Sequence, residues 1–360
     1  MGYLHQNYYI KERQPMKYYA GLDVSMASTS ICVIDAKGKI VREGEVESTP
    51  TEIAKFIVRL QLDIEAIGLE SGPLSPFLHR ELSEFGLPTV CVDARHLSPF
   101  LSVKVNKTDK NDARGIAEAM RCGAYKEVHS RSSHAITCSS VLGIREALVE
   151  ARVKLTNTVR GILKPHGIRS LGSAASYSTF SEKCIEAIEQ LPSELKTAIR
   201  ALLSALKEVY AQIKALDSQV KAIVMNDDDC VLLQSAPGVG PVTALCFKHC
   251  IDDLERFQQS KSVGAYIGLT PSQYSSGETT IQGRISKKGS KRLRRLLVES
   301  ATVILTRTKY WSKLKAWGIK ISRKKGLRKA AVAVARKLGV ILFRMLKTRE
   351  TFQRGEPKAA

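Results

Sequence analysis

Tyr18-Tyr19-Ala20-Gly21-Leu22-Asp23-Val24 is the stretch on which the fold turns. It is short, aromatic and apolar, with a carboxylate next to its end, and it reads as a strand. Working outward, Ser30-Ile31-Cys32-Val33-Ile34-Asp35 reads as a second strand and Ala36-Lys37-Gly38-Lys39 as a turn. Ile40-Val41-Arg42-Glu43-Gly44-Glu45-Val46 reads as a third strand, and residues 1–16 as a loose polar arm.

Thr51 to Leu60 has helical periodicity, and Ala66-Ile67-Gly68-Leu69-Glu70 is a short strand of the buried type. A helix around Leu78–Phe85, the strand Thr89-Val90-Cys91-Val92-Asp93 and a helix from Lys107 to Arg121 follow. Three antiparallel strands, then helix, strand, helix, strand, helix is the element order of an RNase H-like α/β domain.

The middle of the chain reads as long helices. Leu195, Ile199, Leu202, Leu206, Val209, Ile213, Leu216, Val220 and Ile223 recur at spacings of 4 and 3 in strict alternation, opened by Pro192-Ser193. That is an a/d heptad seam of coiled-coil type. Val141, Ile144, Leu148, Ala151 and Leu155 begin a similar one. The two helices are able to pair within one chain or between chains. Asn226-Asp227-Asp228-Asp229 marks a boundary. Beyond it, Pro237-Gly238-Val239-Gly240 between two apolar helical stretches reads as a helix-hairpin-helix-like turn. Gly238 and Gly240 would bring backbone N–H groups to a phosphate. The same string also serves as a purely structural turn.

The formal net charge is +21, which points to a polyanionic partner. Its distribution sharpens the point. From Ile281 to Glu350 there are 22 Lys and Arg against two acids, Glu299 and Glu350, so 22 − 2 = +20 of the excess sits in one stretch. Nucleic acid is the expected partner. Eight Cys with no C-x-x-C pair imply reduced thiols. Cys246, His249 and Cys250 come closest to metal spacing, without a second pair, and His79, His96, His129, His134 and His166 are dispersed. No signal-type segment and no run of about 18 apolar residues occurs, so a cytoplasmic protein with no membrane partner is expected.

Two constellations carry chemistry. Asp23 and Glu70 end strands, and Asp109 and Asp112 stand at i, i+3 in Lys107-Thr108-Asp109-Lys110-Asn111-Asp112-Ala113-Arg114. Each carboxylate alone is most often structural. Together they offer the hard oxygen ligands that metal-assisted phosphodiester chemistry needs. Asp93, which also follows a strand, competes for the fourth place. The second constellation is Ser275-Ser276-Gly277, read as an exposed turn, followed by Arg284, Lys287, Lys288, Lys291 and Arg292. A serine beside cations suits attack on phosphate, although on composition alone it is a flexible loop. Trp311 and Trp317 lie among cations, where tryptophans stack on bases. Two core tryptophans are the expectation.

At these residues the chain resembles the insertion-sequence 110/1111 family of DEDD transposases, the bridge-RNA-guided recombinases. Gly21–Ser25 (G-L-D-V-S), the Glu70 of G-L-E-S-G and Lys107–Arg114 match the family's RuvC-like half. Ser235–Pro241, Gly268–Gly277 (G-L-T-P-x-x-Y-x-S-G) and the R-I-S-K-K-G stretch match its C-terminal half. The resemblance implies that Asp23, Glu70, Asp109 and Asp112 are metal ligands for Mg2+. It implies that Ser276, directly before the glycine, is a nucleophile that forms a covalent phosphoserine link to DNA. Ser275 falls at a position the motif leaves variable. The resemblance further implies element-end and target DNA, a bridge RNA and a homo-oligomer as partners.

The resulting expectation is a RuvC-like domain over 17–135, a coiled-coil dimerisation region over 136–226, a mainly helical transposase domain over 227–350 and a tail over 351–360. A junction-resolving metal nuclease is the main alternative, and it leaves the serine loop without a role. An actin-like ATPase also carries G-x-D-x-S on a first strand. It needs a second glycine-rich phosphate loop, and the sequence has none. An inert nucleic-acid-binding protein would not need the acidic set.

Overall fold

The computed structural model describes residues 16–101, 108–276 and 279–355. The expected N-terminal arm, Lys107, Gly277 and the end of the tail lie outside the described residues. The chain divides into two compact units, Met1–Arg131 and Ser132–Ala360.

The first unit is built on a five-stranded sheet in the order β3-β2-β1-β4-β5. Its strands are β1 (Tyr18–Val24), β2 (Ser28–Asp35), β3 (Ile40–Glu47), β4 (Ile64–Glu70) and β5 (Thr89–Val92). β1 pairs antiparallel with β2, and β2 with β3. β4 runs parallel to β1, and β5 parallel to β4. The Asp35 carboxylate closes the first hairpin by accepting the backbone N–H groups of Lys37 and Lys39. β3 is an edge strand whose exposed, charged side chains guard it against further pairing.

Helices α1 (Pro50–Val58), α2 (Ser75–Glu84), α3 (Ala94–Leu101) and α4 (Asp109–Cys122) cover the sheet. Alternation along β1 and β4 sorts the residues to the two faces. Ala20, Leu22, Ile67 and Leu69 pack with Ile53 and Ile57 of α1 and with Leu78 and Leu82 of α2. On the other face lies α4, and here Gly21 and Gly68 matter. A Cβ on Gly21 would stand 2.1 Å from the Ala113 carbonyl oxygen, and one on Gly68 would meet the Met120 side chain at 2.7 Å. Helix and sheet approach this closely only because both strand positions lack a side chain.

The second unit is helical apart from one hairpin. Its elements are α5 (Ser133–Leu163), α6 (Tyr177–Ile188), α7 (Ser193–Met225), α8 (Asp228–Gln234), α9 (Pro241–Ile251), α10 (Ser260–Tyr266), β6 (Pro271–Ser276), β7 (Thr279–Ile285), α11 (Lys291–Thr306), α12 (Lys313–Lys325) and α13 (Leu327–Thr348). α5 and α7 pack antiparallel. Val159 and Leu163 meet Ile199 and Leu203 at one end. Cys138 and Leu142 join Val220 and Val224 at the other, and Arg145 binds Asp217 at 2.6 Å between them.

Part of the heptad seam therefore packs within its own chain. One row, Ile199, Leu206, Ile213 and Val220, is buried, whereas Leu202, Val209, Leu216 and Ile223 remain half-exposed. The expected break near Asp227 does not separate two cores. Val220 and Val224 of α7 share one core with Leu233, Phe247, Leu297, Leu338 and Phe343.

Candidate metal centre and nucleic-acid interface

The register of the parallel pair sets Leu22 beside Leu69, so Asp23 and Glu70 follow side by side at the carboxyl ends of β1 and β4. Both line a cleft of about 460 Å³ with Ser25, Ser71, Gly72 and Ser75. This is where open α/β sheets place their ligands. Asp109 and Asp112 occupy the first turn of α4, whose N-cap is Thr108. Residue 113 is the one that presses on Gly21, two positions before Asp23, so the same contact ties the first turn of α4 to the acidic end of β1. Neither Asp109 nor Asp112 lines the cleft, and the two differ. Asp109 is exposed, whereas Asp112 is only 7% exposed.

The Asp112 Oδ1 atom is buried without a hydrogen-bond partner among the described residues. A carboxylate oxygen in that state costs free energy unless something positive answers it. An all-oxygen donor set with such an atom fits a hard divalent cation such as Mg2+. Asp93 is differently placed. Arg95 binds both of its oxygens, at 2.9 and 2.5 Å. The hydrogen bonds from Arg95 outweigh partial burial and hold the Asp93 carboxyl down at about 2. Its charge is thus already answered within the chain. Arg114, from the same motif as Asp112, is spent on structure, its guanidinium binding Glu43 of β3.

The Ser275-Ser276 pair ends β6, opposite Thr280 and Thr279 of β7. It belongs to a hairpin rather than a free turn, and both serines are exposed. The hairpin base is held by packing and hydrogen bonds. Gly268, at φ +77°, lies against the Lys288 backbone, and Arg294 donates to the carbonyls of Ile267, Lys288 and Gly289. Register pairs Pro271 with Ile285, so Arg284 sits at the base and Ser276 at the far end. Five strand residues at about 3.3 Å each put roughly 16 Å between them. The expectation that Ser276 stands beside Arg284, Lys287 and Lys288 is corrected accordingly, because adjacency in sequence across a hairpin runs along its length.

Among the cations, Arg284, Lys287, Lys288 and Lys291 are exposed. Arg292 is not available in the same way. It binds Glu146 at 2.5 Å and the Ser139 carbonyl at 3.0 Å, joining α11 to α5. The helix-hairpin-helix-like turn also divides. Gly238, at φ +76°, has the Ser300 carbonyl where a Cβ would go, so packing against α11 explains it. Gly240, the N-cap of α9, faces open space. The tryptophans depart from expectation too: Trp311 is 51% exposed and Trp317 37%. Neither is a core residue. The Lys337 ammonium sits 4.6 Å from the Trp317 ring and the Arg354 guanidinium 4.6 Å from the Tyr310 ring.

A carboxylate set at the ends of parallel strands, carried with a strongly basic helical unit, defines a nucleic-acid-processing enzyme. Comparison with known proteins agrees. Residues 20–167 match a DEDD transposase family of the IS110 kind, and residues 230–316 match the family described as Transposase IS116/IS110/IS902. The chain is 32% identical over 256 residues to the transposase for insertion sequence element IS1328 of Yersinia enterocolitica, spanning 70% of this chain and 74% of that protein. It is 29% identical over 350 residues to the transposase for insertion sequence element IS1111A of Coxiella burnetii, spanning 96% and 94%. A solved structure of Thermus thermophilus RuvC bound to a Holliday junction substrate covers 32% of the chain at 13% identity and a TM-score of 0.24. The chain belongs to the IS110/IS116/IS902 family of insertion-sequence transposases. No helix among the described residues is long and apolar enough to cross a membrane.

Proposed function

We propose that the protein is a Mg2+-dependent DNA strand recombinase, with an RNase H-like (RuvC-like) first unit holding the metal and Ser276 as nucleophile. The observation that carries this reading is the buried, unpartnered Asp112 oxygen on a helix locked against the strand that bears Asp23. Asp23, Glu70, Asp109 and Asp112 would hold the metal. A divalent cation held there would supply positive charge to offset the charge that builds on phosphodiester oxygens. The strand order β3-β2-β1-β4-β5 supports the RNase H-like assignment.

Ser276 contributes an exposed hydroxyl on a hairpin with a fixed base. Its attack forms an Oγ–P bond and breaks one P–O ester bond. The serine proton passes to a base and the leaving oxygen gains a proton. The phosphoserine keeps the ester energy for rejoining. Arg284, Lys287, Lys288 and Lys291, with the amide end of α9 at Gly240, take phosphates of element-end and target DNA. Trp311 and Trp317 offer stacking faces to unpaired bases. Family membership supports a bridge RNA as guide, and the half-exposed seam row supports a homo-oligomer acting in the cytoplasm.

The length of the hairpin favours one second reading, a junction-resolving nuclease that uses water at the acidic site, because Ser276 lies far along it from Arg284. A denaturing gel of the protein with cleavable element-end DNA separates the two. A covalent adduct that survives Ser275→Ala and disappears in Ser276→Ala is the expected result. Cleavage without any adduct in the wild type establishes the nuclease reading instead.

A further inference from the structure

The second unit brings together three side chains from two helices that lie far apart in sequence. His134 and Cys138 stand one turn apart on α5, on one face, and His249 comes from α9. The His134 Nε2 and Cys138 Sγ atoms are 3.7 Å apart. One ligand atom from each of the three lies within 4.8 Å of the others. In tetrahedral zinc sites, bonds of about 2.0–2.1 Å to nitrogen and about 2.3 Å to sulfur place neighbouring ligand atoms roughly 3.3–3.8 Å apart. The His–Cys pair already has that separation, and the third ligand atom lies within about an ångström of it.

Two further observations point the same way. His249 is 4% exposed, yet its Nε2 has no hydrogen-bond partner among the described residues. A buried imidazole nitrogen left unanswered needs a reason. The His134 and His249 rings meet edge to face at 4.9 Å between centroids, so two potential donors converge. His134 also lines a cleft of about 570 Å³ with Asp227, Asp228, Asp229, Lys248 and Arg349. Three carboxylates against two cations leave that cleft negative, which draws cations in. Lys248 is bound by Asp227 at 2.7 Å and by Asp229 at 3.1 Å, so it does not block the histidines as a free charge.

We propose that His134, Cys138 and His249 form a second metal site, selective for zinc or a similar borderline ion, with its open position facing the acidic cleft. Nitrogen and thiolate ligands reject Mg2+ and favour Zn2+. The site is thereby chemically distinct from the all-oxygen set of the first unit. Binding exchanges the Cys138 thiol proton, released to solvent, for a metal–sulfur bond. The ion would staple α5 to α9, and so fix the start of the long α5 helix to the core.

The test uses the full-length protein, freed of metal and titrated with Co2+ and then Zn2+. One Co2+ per chain with a sulfur-to-cobalt charge-transfer band, displaced by Zn2+, is expected. Cys138→Ser should abolish the band, and His249→Gln should weaken binding by at least tenfold. Asp23→Ala, in the other unit, should leave the band unchanged. A folded wild-type protein that shows no such band overturns the proposal, as does a band that survives Cys138→Ser. If His249→Gln fails to fold, the wild-type spectrum and the Cys138→Ser comparison still decide.

Discussion

Asp112 differs from the structural carboxylates of the chain at one atom. Asp35 caps a turn, Asp93 is held by Arg95 and Asp227 by Lys248, so each of these charges is answered inside the chain. The buried oxygen of Asp112 is not. Leaving a buried polar atom unpaired costs about 1–3 kcal/mol, and more when the group is charged. In metal-free buffer, Asp112→Asn is therefore expected to be at least as stable as the wild type in urea unfolding, by up to about 1–3 kcal/mol. Addition of Mg2+ should stabilise the wild type and leave the variant unmoved. A variant less stable than the wild type without metal would make Asp112 a structural residue. The sequence announced this carboxylate through its spacing from Asp109, but not its burial. Periodicity places residues on a face, and only packing decides which is covered. The same limit hid the exposure of Trp311 and Trp317, since a tryptophan reads as core by its type whichever way it faces.

Among elements, β1 was legible from its short aromatic and apolar run, whereas the close seating of α4 on Gly21 and Gly68 emerges only from the packing. What alternation does not carry is partner choice. The α7 seam is regular enough for a coiled coil, yet α5 of the same chain takes its buried row. The half-exposed row is what remains for a second copy. Val209→Glu with Leu216→Glu should keep the helical circular dichroism and lower the mass seen in sedimentation. Unchanged mass with intact helicity would confine the seam to its own chain. Leu206→Glu, on the buried row, should instead unfold the helix pair, because an unpaired charge replaces a side chain with no exposed surface. Hairpins pose a related difficulty: nearness in sequence to Arg284 suggested nearness in space for Ser276, and the strand pairing reverses that.

Across the whole molecule, charge was the most readable property, because its excess falls in one segment whatever the fold. Fold does decide how much of it is usable. Arg292 and Arg294 are consumed in holding α11, so fewer phosphates are contacted than the 22 basic residues suggest. Plots of log affinity against log salt should have a slope of about −0.9 per contacted phosphate on a duplex. Lys287→Ala with Lys288→Ala should flatten the slope, while Arg292→Ala should act chiefly on stability. A slope unaffected by the lysine changes would move the interface elsewhere. The central claim, that the first unit cuts DNA with metal held by its carboxylates, has a more direct test. Strand cleavage of element-end DNA is measured in Mg2+ and in EDTA for the wild type, Asp112→Asn and Asp93→Asn. Cleavage by the wild type and Asp93→Asn in Mg2+ alone, with a loss of at least a hundredfold in Asp112→Asn, is the expected result. Equal cleavage by Asp112→Asn and the wild type, or undiminished cleavage in EDTA, would contradict it.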